Sequence, residues 1–216
     1  DLDYLDIEDK ENQFVIKRGE KNNYKLEGLF FNANTIITNL LKNNNKKEEK
    51  FLRNKINISI NLNEVHIDQK NIIKNLQGTL FIKDNKVLHA NLSANFDAIN
   101  KITFNIKTND NGEKVTKLYS SKAKPLVNRY KFIKGFKEGY LDFSSIKKNE
   151  KSISNLKIYD FKLKEVPTLT KLLTLASLQG IADILTGEGI RFDEFDMKFN
   201  NEENLMTIDE IYAIGP

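Results

Sequence analysis

The chain has 216 residues, 39% of them hydrophobic, no cysteine and a formal charge of +4. That length supports one or two domains with cores of their own, and the missing cysteine excludes disulfide and thiolate chemistry. Of its 34 basic residues only Arg18, Arg53, Arg129 and Arg191 are arginine, which argues against nucleic acid as a partner, because bidentate phosphate and base recognition favours arginine.

The charge is uneven. Residues 1–20 carry seven acids against three bases and residues 183–210 nine against two, so the middle of the chain is basic. Such a middle suits anionic lipid headgroups, or is a solvated lysine-rich surface. The start at Asp1, and Gly215-Pro216 directly after a strand-like run, read as the ends of a segment cut from a longer protein. No apolar run reaches the ~20 residues that a membrane-spanning helix needs.

In chain order, the first expected helix is Asn34–Leu41, with Asn34 available as its cap. A polar stretch, Lys42–Lys50, follows. Ile56–Leu62 then alternates strictly between apolar and small polar residues, the pattern of a strand with one dry and one wet face. Leu80–Ile82, Leu88–Phe96 and Ile102–Phe104–Ile106 continue it, with a hairpin turn at Lys83–Lys86 and another turn at Asp110-Asn111-Gly112. A second short helix is expected over Pro125–Ile133, with proline in its first turn. Further strands are expected at Gly139–Ser144, Leu156–Leu163, Phe192–Phe199 and Met206–Ala213. Short strands with tight turns predict an antiparallel meander rather than βαβ units.

The third expected helix, from about Pro167 to Leu185, is the least ordinary segment. Leu169, Leu172, Leu173 and Ala176 form one stripe and Leu175, Leu178, Ala182 and Leu185 another, with no charge from Leu172 to Ala182. A helix this apolar must be covered by protein, a partner or lipid. Burial against the sheet is the plain reading.

No constellation of catalytic residues emerges, and the chain is expected not to be an enzyme. His66 and His89 lack a second ligand at metal-site spacing. Asp193, Glu194 and Asp196 look like a cluster, but Glu194, Asp196 and Lys198 alternate with Phe195, Met197 and Phe199, so these acids read as the solvated face of a strand. Ser121-Lys122-Ala123-Lys124 matches Ser-x-x-Lys without its companion elements, and serine leading into a helix is the better account. Gly187-Glu188-Gly189 lacks the third glycine of a nucleotide loop and reads as a helix terminus. No metal and no cofactor are expected.

The run Glu165–Phe192 resembles the stretch near the C-terminus of AsmA-like (YhdP-type) proteins of the bacterial envelope. Pro167, Leu169, Ala176, Ser177, Leu178, Gly180, Leu185, Gly187, Gly189, Ile190 and Phe192 occupy the family's pattern, and the Gly215-Pro216 ending fits it. Ser121–Lys124 departs from it, standing where an Asp-rich, Gly-containing turn is usual. The specific match covers roughly residues 118–216; residues 1–117 fit by strand pattern and by the short helix near 34–41.

The resemblance implies a mainly β chain with a few short helices, its antiparallel strands stacked into a curved, groove-like sheet. It divides the chain into a β-groove segment, 1–117, and an AsmA-like C-terminal-type segment, 118–216, with helices near 122–133 and 167–186. It further implies a periplasmic body on an inner-membrane anchor and phospholipids moving along an apolar groove toward the outer membrane. The candidate floor residues are Ile56, Ile58, Ile60, Leu80, Ile82, Leu88, Leu92, Phe96, Phe104 and Ile106. Leu169, Leu172, Leu173, Ala176, Leu178 and Leu185 would cap or dock one end. Ordinary core packing under a closed sheet is the alternative for any of these residues. The alternative function is a structural envelope scaffold that binds proteins and assists outer-membrane biogenesis without carrying lipid.

Overall fold

A computed structural model describes residues 3–41, 55–84, 86–129, 135–164, 189–202 and 205–215. The chain divides into two compact units, Asp1–Asn109 and Asp110–Pro216, and both are mainly β. The first unit contains β1 (Tyr4–Glu8), β2 (Gln13–Arg18), β3 (Asn23–Asn32), α1 (Asn34–Leu41), β4 (Ile56–His66), β5 (Ile72–Lys83), β6 (Lys86–Asn95) and β7 (Lys101–Thr108). The second contains β8 (Lys114–Ser120), α2 (Lys124–Val127), β9 (Phe136–Lys148), β10 (Lys151–Leu163), β11 (Ile190–Glu202) and β12 (Leu205–Ile214).

In each unit the strands lie side by side in chain order and the sheet is open. Antiparallel pairing holds throughout the second unit. The first departs from the antiparallel expectation at one place, where β3 and β4 are parallel, Tyr24 aligning with Ile58 and Leu26 with Ile60. Parallel neighbours need a crossover of a dozen or more residues. The connection 33–55, with α1 in it, supplies one, so this stretch is a βαβ unit inside a meander.

α1 has the expected limits, but Asn34 is not its cap. The Ala33 carbonyl accepts the first helical bond, from the Ile37 N–H, and the Asn32 side chain accepts from the Asn34 N–H at 3.0 Å. α2 covers Lys124–Val127, with Pro125 in its first turn. The remainder of the expected 125–133 helix, from 130, lies outside the described residues, as does the whole of the expected 167–185 helix.

Three turns of the first unit share one chemistry. In Asp9-Lys10-Glu11-Asn12, Asp68-Gln69-Lys70-Asn71 and Asp97-Ala98-Ile99-Asn100, the aspartate Oδ1 accepts the backbone N–H groups two and three residues on. The Asn amide then donates back to the same carboxylate. These are Asx-type turns. The backbone bond from Glu11 is the main reason that the Asp9 carboxyl titrates below the usual range. β1, β4 and β6 run in the same direction, so all three turns stand on one rim.

Strict alternation is interrupted by register shifts in both units and by residues of positive φ within the strands. Asn75 has φ +53°, and at that level the buried set passes from Leu62 and Leu76 to Val65 and Ile73. In the second unit Glu138 (φ +62°) and Gly139 (φ +76°) on β9 stand beside Asp160 (φ +51°) on β10. Beyond this kink Phe136, Phe161, Phe192 and Ile190 join the same core as Leu141 and Ile158. Lys137, Lys162 and Arg191 are thereby turned to the other face.

Candidate functional site: the apolar face of the sheet

Side chains directly opposite one another on paired strands share a face, so the register shows what each face carries. In the first unit Leu5, Ile16, Leu26, Ile60, Gly78, Leu92 and Phe104 form one unbroken row across seven strands. Tyr24, Ile58, Leu80, Ala90 and Ile106 form a second row beside it, and Ile56, Ile82 and Val87 a third. At ~4.8 Å per strand the first row spans roughly 29 Å. The other face is polar, with rows such as Asn61–Gln77–Ser93–Thr103 and Ser59–Thr79–Asn91–Asn105.

Eight of the ten candidate floor residues, Ile56, Ile58, Ile60, Leu80, Ile82, Leu92, Phe104 and Ile106, therefore lie on one face. Phe96, just past the end of β6, packs against the same cluster. Leu88 sits in the β-bulge between the Phe81–His89 and Ile82–Val87 pairs and falls out of the rows. The six residues assigned to docking or capping, Leu169, Leu172, Leu173, Ala176, Leu178 and Leu185, lie outside the described residues.

The sequence reading missed the contribution of β1–β3, although Leu5/Ile7, Phe14/Ile16 and Tyr24/Leu26 do alternate. It also missed the matching rows of the second unit, Leu118–Phe143–Leu156–Met197–Ile211 and Ser120–Leu141–Ile158–Phe195–Ala213.

Burial along the apolar face is uneven. Ala33, just before α1, and Ile37 within it pack against the cluster that contains Val65, Ile67 and Ile73, and Leu62 of the same cluster is only 1% exposed. In the three rows Ile56, Ile60 and Ala90 are buried, whereas Leu5, Ile16, Leu26, Ile58, Leu80, Leu92, Phe104 and Ile106 are half-buried. Among the described residues no second sheet is present in either unit to cover them.

The polar face of the second unit holds a charge cluster that the sequence reading placed in solvent. Asp193 is exposed as expected, but Asp196 is only 4% exposed. The cause is the facing strand: Lys157 stands opposite Asp196 in register and bonds both it and Glu194 at 3.0 Å. Asp196 and then Glu194 hold the Lys157 ammonium well above its usual pKa.

The remaining candidates have structural surroundings. His89 is exposed and stacks on Phe81 with ring centres 5.7 Å apart. His66 is half-buried at the end of β4. Ser120 is buried and donates to the Lys122 carbonyl at 2.7 Å, which explains the serine pair as a turn into α2. Among the described residues no group of three or more His, Asp or Glu side chains is placed to hold a metal ion. A concavity of ≈ 520 Å³ lies on the polar side, lined by Asn75, Gln77, Ser93, Asn95, Lys101 and Thr103, and no helix among the described residues is long and apolar enough to cross a membrane. Against protein-family models, curated proteins and solved structures, the chain has no match.

Proposed function

We propose that the apolar face is a track for hydrocarbon chains, and that this protein is a non-catalytic segment of a bridge-like lipid-transfer protein of the bacterial envelope. The reading rests on one observation: the seven-strand apolar row from Leu5 to Phe104, half-buried over most of its length, with no second sheet among the described residues to cover it. Burying a CH₂ group stabilises by ~0.8 kcal/mol wherever the floor is apolar. An acyl chain on such rows is held by many similar contacts and slides between them without a large barrier. No single residue is unique in this task. The resemblance of residues 165–192 to AsmA-like proteins supports the same assignment. It would place the segment in the periplasm as part of an inner-membrane-anchored protein, with the track bent into a groove.

A scaffold that binds other proteins is favoured by a different observation. All ten residues of β12 are exposed, including Leu205, Met206, Ile208, Ile211 and Ile214, and an edge strand of this kind is a template for strand addition.

The two readings separate on Ile58→Asp. Ile58 is half-buried in the second row, so the charge enters the track without emptying the core at Leu62. Native mass spectrometry of the purified chain is expected to show bound phospholipid, and Ile58→Asp to weaken binding of a fluorescent phospholipid about tenfold, whereas Ser59→Asp on the polar face leaves it unchanged. Absence of copurified lipid, together with equal lipid binding by the two variants, would move the assignment to the scaffold.

A further inference from the structure

The polar face of the first unit is uncharged over its later strands. The rows Asn61–Gln77–Ser93–Thr103 and Ser59–Thr79–Asn91–Asn105 cross β4, β5, β6 and β7. None of these positions is charged, although 30% of the chain's residues are. All are exposed except Thr103, which is half-buried. Charge resumes at the borders. The two rows continue to Glu27 and Lys25 on β3, and Lys101 and Lys107 stand toward the two ends of β7.

Two features give this neutral area its shape. The β5–β6 register shifts between Lys74 and Gln77, and Asn75 between them has φ +53°. Such a bulge re-aims the side chains beside it. The concavity of ≈ 520 Å³ lies there, lined by Asn75, Gln77, Ser93, Asn95 and Thr103, with Lys101 as its one charged lining residue among the described residues. On the other side of the two rows Phe81 and His89 stand opposite each other, their rings stacked 5.7 Å apart at 26°.

An ion would find no counter-charge in the two rows. Side-chain amides and hydroxyls both donate and accept hydrogen bonds, whereas carboxylates only accept and ammonium groups only donate. The matching ligand is uncharged and carries many groups that likewise do both, as the hydroxyls of a sugar do. Neighbouring strands stand ~4.8 Å apart, which is comparable to the advance per residue of an extended glycan, so successive sugars meet successive strands. The Phe81–His89 pair offers a flat ring surface to the C–H face of one sugar. We propose that the polar face of β4–β7 binds a neutral oligosaccharide, with Gln77, Asn91, Ser93, Asn95 and Thr103 bonding its hydroxyls. The site is on the face opposite the apolar rows and needs no hydrocarbon, so it stands or falls independently of the lipid track.

The test is titration of the full chain with cellotetraose and with chitotetraose, followed by NMR of the asparagine and glutamine side-chain NH₂ groups. The Gln77, Asn91 and Asn95 signals are expected to shift saturably with at least one of the two sugars, while those of Asn200 and Asn201 in the second unit stay in place. Gln77→Ala/Asn95→Ala is expected to weaken binding about tenfold, as loss of two hydrogen-bonding side chains would give. The control Lys17→Gln/Lys25→Gln removes a facing lysine pair outside the neutral area and leaves binding unchanged. The proposal is wrong if neither sugar moves the three signals further than those of Asn200 and Asn201, or if the control variant binds as weakly as the site variant. It is also wrong if the three signals respond to protein concentration alone, because the face then pairs with a second copy of the chain.

Discussion

Phe161→Ala is expected to destabilise the second unit by about 3–5 kcal/mol. Phe161 is 4% exposed and lies between two other rings, with its centroid 5.2 Å from Phe136 and 5.1 Å from Phe192 and both stacks within 15° of parallel. Offset stacks of this kind add to the burial term. The ring has its place because Gly139 faces it: a Cβ on Gly139 would stand 2.8 Å from the Phe161 Cβ. Alanine removes the middle of the stack and leaves a cavity that three strands line. Since many domains have only ~5–15 kcal/mol in total, this loss should appear in urea as a transition for residues 110–216 at much lower concentration, followed by Phe161 and Phe192 region amide exchange. A midpoint unchanged from wild type would mean that the aromatic stack is not the core of this unit.

Gly78→Ala is expected to cost about 3 kcal/mol or more in the first unit, by a different mechanism. Gly78 has φ +146°, a conformation that residues with a Cβ rarely adopt, and an added Cβ would come 1.9 Å from the Asn91 carbonyl oxygen of β6. That obstacle is backbone, so relief requires β5 and β6 to separate. Gly78 is also the one position without a side chain in the row from Leu5 to Phe104, between Ile60 and Leu92. Separation there would interrupt the apolar row and lower stability together. Chemical denaturation measures the first effect and fluorescent-lipid binding the second. A Gly78→Ala chain as stable as wild type would show that the β5–β6 approach is looser than described.

Strands were legible where one face is apolar without exception. Ile56–Leu62, Leu88–Phe96 and Ile102–Ile106 alternate cleanly, and β4, β6 and β7 form there. β2 was not found because Val15 puts an apolar residue on the polar side between Phe14 and Ile16, and the start of β5 because Asn75 reverses the alternation just after Ile73. A residue with positive φ leaves no trace in hydrophobic periodicity. The parallel β3–β4 pair was hidden for another reason. Pairing direction depends on what the connection can reach, and the pattern of a short helix such as Asn34–Leu41 does not say whether it crosses over between parallel strands.

Individual sites followed the same division. The floor residues share a face because period-two alternation transmits directly into side-chain direction; Leu88 falls out of the rows because a bulge adds one residue and the count slips. Asp196 looked solvent-facing from its own strand, which is correct as to face and wrong as to burial, since Lys157 reaches it from β10. Cross-strand partners distant in sequence decide whether a polar face is wet. The row Lys137–Lys162–Arg191 depends on both effects, a kink that sets the face and a register that brings the three residues into line.

Site-specific photocrosslinking to phospholipid tests the central claim most directly. A photoreactive residue placed in turn at Ile58, Leu92 and Phe104, and at Ser59, Asn91 and Asn105 on the reverse of the same strands, reports which face meets hydrocarbon. Lipid adducts are expected at the first three positions and not at the second three. Adducts in equal yield on both faces, or on neither, would contradict the account.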